Sequence, residues 1–360
     1  MKRIVFFVMT ICFLLVITMS VSTGGRRDAS DSTPSGLRTL RVANQWHVQG
    51  LPVYIAEQEG MFIEAGLDIR TITFGTGPPM NEALGAGEWD VGIYGPVPAI
   101  AAGVAFNTRI IAASADDTMA MEFFVRPGSD IARISGRSGV PGILGDANSW
   151  RGKNVLVPVG SNVHFMLLAN LGRMGLTQDD IRIIPMDVPS AFTAFRAGQG
   201  DVVSLWAPQS IFARDEGWVT AASGLSSGER VYMVIVASEE AFRTKKDELA
   251  DFIRVYYQAA EKYKDNIDMY IDYMLRFQRE HGLPVDERLV SISAHERPMP
   301  TLDDQRMLWT GNPGSRPIDG YVYRIMDFFI EQGQFTQADK LRLQTNGFIE
   351  GELINRILRN

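Results

Sequence analysis

The stretch Val157–Leu168, VPVGSNVHFMLL, runs as an apolar strand to Gly160, turns polar at Ser161 and Asn162, and continues as an apolar helix carrying His164. The first N–H groups of a helix have no partner inside it, and the macrodipole adds partial positive charge there. Ser161 can cap these groups itself, or an anion from outside can take their hydrogen bonds. A second place of the same kind is Thr73–Pro79, TFGTGPP, where a strand meets Gly75, Thr76 and Gly77 before a helix. Further polar or aromatic residues stand at the ends of strand-like runs: Trp46, His47 and Gln49, then Tyr94 and Gly95, then Trp206. Each has a structural alternative, Trp206 as core and His164 as an ordinary helix histidine. Their common place at strand ends is what suggests a ligand site.

Catalytic constellations fail on context. Gly224–Gly228 spells G-x-S-x-G, but an apolar strand follows where a nucleophile elbow needs a helix. The four histidines (His47, His164, His281, His295) lack metal-ligand spacing. Gly145 to Lys153 is misspaced for a phosphate loop, and no G-x-G-x-x-G follows a strand. Asp90 and Asp201 begin strands, the wrong end for a cleft, and are expected to fix turns. The expectation is a binding protein with no catalytic residue, cofactor or metal.

Short apolar strands alternate with helical patterns from residue 38, the rhythm of parallel α/β units. The plan occurs twice. ALGAGEWDV (Ala83–Val91) and AFRAGQGDV (Ala194–Val202) match at Ala, Ala, Gly, Asp and Val, 111 positions apart, as Asp90 and Asp201 show. Each copy leads into an apolar strand, an aromatic (Tyr94, Trp206) and a proline that opens a helix (Pro96, Pro208). Two similar lobes follow: residues 38–126 as the first and 127–237 as the second. Ligands of open parallel sheets sit beyond the strand C-termini, which puts the site between the lobes. The Gly/Pro/Ser-rich segment 127–150 and the run 231–242 are expected to carry the two crossovers. Leu249, Phe252, Ile253, Tyr256 and Ala260, then Ile267, Tyr270, Ile271, Met274 and Phe277, recur at helical spacing. Residues 238–360 are therefore expected to be helices packed on the first lobe.

The 360 residues carry 35 basic and 42 acidic side chains, a net charge of −7, without the basic stripe that nucleic-acid binding needs. Lys2 and Arg3 precede an apolar run, Ile4–Val21, and small residues follow. Residues 1–23 read as an export signal, with an uncleaved anchor as the competing reading. Residues 24–37 read as a flexible linker. The one cysteine, Cys12, lies in the apolar run after Ile11, which does not suit lipidation. The mature chain is then exported, to the periplasm or the outer face of the membrane, and has no disulfide.

GLPVYIAEQEGMFIEAGLDI (50–69), ALGAGEWDVGIYGPVPAIAAG (83–103), RGKNVLVPVGSNVHFMLLANLGRMGL (151–176) and AFRAGQGDVVSLWAPQS (194–210) together resemble the solute-binding proteins of nitrate/sulfonate/taurine ABC importers, the NMT1/THI5-like group. The resemblance spans about residues 38–240. It implies an α/β, two-lobed periplasmic-binding-protein fold of type II: two parallel-sheet lobes, a hinge and a helical tail. The implied ligand is a small anion or zwitterion, a sulfonate or taurine-like solute, passed to an ABC permease and its ATPase. The membrane would be met only through that permease or an uncleaved leader. The implied ligand set is Trp46, His47, Gln49, Gly75, Thr76, Gly77, Gly95, Ser161, Asn162, His164 and Trp206. Three or four charge-assisted hydrogen bonds from helix starts, with stacking on Trp206 or Trp46, would give about −8 kcal/mol, a micromolar Kd. The chain departs from the pattern in two ways. No arginine stands at an expected strand end, Arg126 falling near the hinge, and segment 133–150 is long and glycine-rich. Two alternatives share the fold: a protein binding or making the thiamine pyrimidine precursor, whose enzymatic form resembles cysteine-dependent proteins, and a membrane-tethered sensory module.

Overall fold

The structure, a computed structural model, describes residues 36–134, 139–283 and 285–359. The expected leader, Cys12 and the linker up to residue 35 lie outside them. No helix among the described residues is long and apolar enough to cross a membrane.

Among the described residues, ten strands form two five-stranded sheets. They are β1 (Arg38–Gln45), β2 (Leu67–Phe74), β3 (Val91–Tyr94), β4 (Arg109–Asp116), β5 (Glu122–Val125), β6 (Asn154–Val157), β7 (Arg182–Pro185), β8 (Val202–Leu205), β9 (Val219–Ser223) and β10 (Tyr232–Ala237). The first sheet runs β2-β1-β3-β10-β4 and the second β7-β6-β8-β5-β9, which is one strand order used twice. The repeat read from sequence coincides with it to the residue, since β3 and β8 are the equivalent strands 111 positions apart. Both are buried along their whole length, as central strands covered on two faces must be.

The sheets are mixed where parallel ones were expected. β1, β2 and β3 are parallel, as are β6, β7 and β8, but β10 runs antiparallel to β3 and β5 antiparallel to β8. The reversed strand in each sheet is the one that arrives from the other lobe. Glu122–Val125, expected to close the first lobe, therefore belongs to the second sheet, and Tyr232–Ala237 belongs to the first.

The crossovers consequently lie at Asp117–Met121 and Gly224–Val231, not within 127–150. They are hydrogen-bonded to each other, Asp117 N–H donating to Val231 O at 2.9 Å and Gly224 N–H to Met121 O at 2.8 Å. The described part of 127–150 instead folds onto the second lobe, where Leu144 N–H reaches Ala221 O and Trp150 is fully buried. Glycine and proline mark irregular backbone wherever it occurs. A five-residue crossover is too short to carry a compositional signature.

The rejected Gly224–Gly228 motif is the second crossover. It forms one helical turn, capped by Ser223 and Ser226, whose hydroxyl also donates to Asn170 Oδ1. Asp90 and Asp201 do the same job in the two copies. Each carboxylate accepts a backbone N–H of the neighbouring strand, from Arg41 at 2.9 Å and from Asn154 at 2.8 Å.

The two tail stripes lie on helices Lys246–Tyr263 and Ile267–Glu280, the first with all five stripe residues buried. In the second, Tyr270, Met274 and Phe277 are buried while Ile267 is exposed. These helices pack on helix Leu51–Gln58 of the first lobe, Phe277 stacking on Tyr54. The tail also touches the second lobe, for Phe165 meets Phe328 edge-on.

Candidate functional site

Three parallel strands of each sheet end toward one cavity of about 320 Å³ between the lobes. His47, Gln49, Gly75, Thr76, Gly77 and Gly95 line it from the first lobe. Ser161, Asn162 and Trp206 line it from the second. Nine of the eleven expected residues are therefore brought together, Thr76 and Ser161 among them.

Trp46 and His164 stand apart from the lining. Trp46 lies behind it, its ring so close that a Cβ on Gly75 would sit 2.9 Å away, which explains the glycine there. His164 points into the tail, its ring 5.9 Å from that of Phe329. Burial pushes its pKa down to about 4, so it is a neutral core histidine.

Helix starts supply fewer free amides than their number suggests. Helix Gly77–Gly85 carries Pro78 and Pro79 after Gly77, so only Gly77 among its first three residues has an N–H. Helix Pro96–Phe106 keeps only Val97 N–H in the same span, and that donates to Asn162 Oδ1 at 3.3 Å. Asn162 is thus a bridge between lobes, its Nδ2 also donating to Met233 Sδ at 3.4 Å.

Ser161 caps its own helix. Its hydroxyl donates to Pro158 O at 2.6 Å and accepts from His164 N–H at 3.4 Å. Thr76, by contrast, sits at a helix start with no side-chain capping bond.

Two charged residues of the lining had no local signal. Asp117 opens the first crossover, and Arg297 ends the helix Glu287–Glu296 in the tail. Both are buried, and Arg297 Nε lies 2.9 Å from Asp117 Oδ1. The approach is close but misaligned, so neither atom completes a hydrogen bond. Burial raises the Asp117 pKa against the opposing pull of Arg297. The same burial, with the Arg297 charge, pushes His47 down to about 3, leaving it neutral at physiological pH. Arg126, the arginine nearest the expected hinge, is structural. It donates to Phe195 O and Gly200 O and lies 4.0 Å over the Phe195 ring.

Apart from Gln45 and the rim residue Asp187, the rest of the wall is mostly apolar: Pro78, Pro98, Met121, Pro158, Val159, Met186, Trp206 and Met233. Methionine walls adapt to irregular apolar shapes, and a pocket of this size suits an organic molecule. Asp187 lies exposed at the rim, where it caps a helix by accepting from Ser190 N–H.

Residues 141–267 match the family described as NMT1/THI5 like. A Brachyspira hyodysenteriae protein named as an ABC transporter periplasmic binding protein is 26% identical over 99% of this chain and 98% of its own. A Bacillus subtilis protein named as an aliphatic sulfonates-binding protein is 25% identical over 71% of this chain and 74% of its own. Among solved structures, the periplasmic aliphatic sulphonate binding protein of Escherichia coli superposes with a TM-score of 0.66 at 20% identity, covering 82% of this chain and 87% of that one. The chain carries an NMT1/THI5-like domain, and its fold is that of the periplasmic binding proteins.

Proposed function

We propose that this protein is the solute-binding component of an ABC importer, exported from the cytoplasm, which captures a small organic acid between its lobes and presents it to a permease. The observation that carries the reading is the cavity itself: a half-open, mostly apolar space at the strand ends of both lobes, with one guanidinium among its described wall residues. A relative named for aliphatic sulfonates supports an acid head on a carbon body as the ligand class. A bare ion such as nitrate, or a two-carbon solute such as taurine, would leave most of the 320 Å³ unfilled. Larger sulfonates therefore fit better than the smallest ones. No bond of the solute needs to break: binding favours the closed arrangement by its extra contacts there, and a permease reads the shape.

The test is thermal shift followed by calorimetry on the mature protein, with alkyl and aryl sulfonates, carboxylates, taurine, nitrate and pyrimidine precursors of thiamine. Micromolar binding of a member of the organic-acid group, with a fall in the radius of gyration, supports the reading. Tightest binding of a neutral pyrimidine would move the chain to the precursor-binding alternative. No response from any compound removes solute capture as the function.

A further inference from the structure

We propose that the buried pair Asp117 and Arg297 sets the specificity of the cleft, selecting a head group that offers a cationic or N–H donor together with an anionic acceptor over a plain anion of the same body. The inference rests on the solute-binding reading and narrows it.

The argument begins with charge. Among the described lining residues, the formal charges at neutral pH are Arg297, Asp117 and the exposed, helix-capping Asp187. His47 adds none, because burial beside Arg297 keeps it neutral. The cavity therefore holds no uncompensated positive charge. Its one guanidinium already faces a carboxylate at 2.9 Å.

A plain anion must draw Arg297 away from Asp117 or share it. Either leaves a buried carboxylate poorly paired, and an uncompensated buried charge is among the costliest things a protein can hold. A ligand with both signs avoids this. Its acid accepts from Arg297 while its donor faces Asp117, and each protein charge keeps a partner.

The pair is also built to be re-paired. Asp117 Oδ1 and Arg297 Nε are within reach of each other yet complete no hydrogen bond. The two residues come from separate elements, a crossover between the sheets and the end of a tail helix, so a ligand touching both ties the tail to the hinge. Arg297 is held in place by its backbone, whose N–H donates to Ser293 O and whose carbonyl accepts from the Tyr270 hydroxyl. Gln49 adds to the demand for donors: its Oε1 is buried without a hydrogen-bond partner while its Nε2 is spent on Gln45. With two of the unmet atoms acceptors and one a donor, the first lobe asks for more than a bare oxyanion.

Three probes of one body test this: N-cyclohexyl-2-aminoethanesulfonate, a zwitterion at neutral pH, 3-cyclohexylpropanesulfonate, an anion, and N-cyclohexylpropylamine, a cation. Calorimetry on the unaltered protein is expected to rank the zwitterion at least about tenfold tighter than the anion. In Asp117→Asn the order of those two should invert, and in Arg297→Gln the zwitterion should lose at least about tenfold. The ranking in the unaltered protein needs no variant, so a misfolded substitution leaves the test intact. If the anion binds the unaltered protein as tightly as the zwitterion, or if the ratio is unchanged in folded Asp117→Asn, pair recognition is overturned while solute binding stands. If none of the three binds, this inference is overturned, and the broader compound panel decides the function separately.

Discussion

Asn162, at the start of a second-lobe helix, accepts a hydrogen bond from Val97 N–H in the first lobe, and its amide occupies the space a side chain on Gly95 would need. A Cβ on Gly95 would lie 2.4 Å from Asn162 Nδ2. The two lobes are therefore joined at the cavity wall by one polar side chain and one absent one. A residue that reads in sequence as a ligand contact also holds the walls together.

Asn162→Ala is expected to weaken solute binding by about 1–3 kcal/mol, because closure would then bury Val97 N–H without a partner. Gly95→Ala should weaken it at least as much by blocking the approach. Calorimetry measures both, with the unliganded unfolding temperature as control. Unchanged affinity in both variants would mean that this contact takes no part in the bound form.

Gly224→Ala is expected to destabilise the whole fold. The new Cβ would lie 1.9 Å from Thr118 O, backbone against backbone, where the two crossovers pair. Overpacking of this kind costs about 1–3 kcal/mol or more. Urea unfolding monitored by circular dichroism gives the value, and a loss under 0.5 kcal/mol, about the scale of an ordinary surface change, would show that the crossovers separate freely.

Ser161 and Thr76 should respond in opposite ways. Ser161→Ala removes a helix cap and should cost about 1 kcal/mol of stability with little change in affinity. Thr76→Val removes a hydroxyl that makes no capping bond and lines the cavity. It should leave stability nearly unchanged and weaken a ligand that reaches it by about 1–3 kcal/mol. The reverse pattern would exchange the two roles.

Acid should destabilise the protein through buried His164 and half-buried His47. His47 and His164 have folded pKa values near 3 and 4, below the ordinary 6.5 of an unfolded chain. Between those values the unfolded state binds more protons, so this contribution is complete above pH 6.5 and is lost as pH falls. Each group can contribute up to about 1.4 kcal/mol per pH unit in that window. Buried Asp117, with its raised pKa, works in the opposite sense, so the comparison must be with His47→Gln and His164→Gln. Each variant should flatten the fall in unfolding free energy between pH 6 and 4. Parallel curves for variant and parent would contradict the burial argument.

The sequence by itself determined the α/β alternation, the duplication and the strand ends that face the cavity. These follow from periodicity and turn chemistry, which act over a few residues, and they located Gly75–Gly77, Gly95 and Ser161 correctly within the wall. The match of Ala83–Val91 to Ala194–Val202 was legible because both copies must build one helix-turn-strand unit. Tertiary structure alone decided which polar groups remain free. Ser161 is spent locally, on Pro158 O and its own helix start, but Asn162 and Val97 look available in sequence, and packing the lobes together engages both. It alone decided the crossovers too, since Glu122–Val125 is a plain apolar strand that either sheet could accept. Arg297 lies far along the chain from any strand of the cleft, at a helix end whose neighbours announce nothing. Only the fold of the tail onto the hinge brings it to Asp117, because a long-range electrostatic pair depends on burial and distance, and neither is written in local sequence.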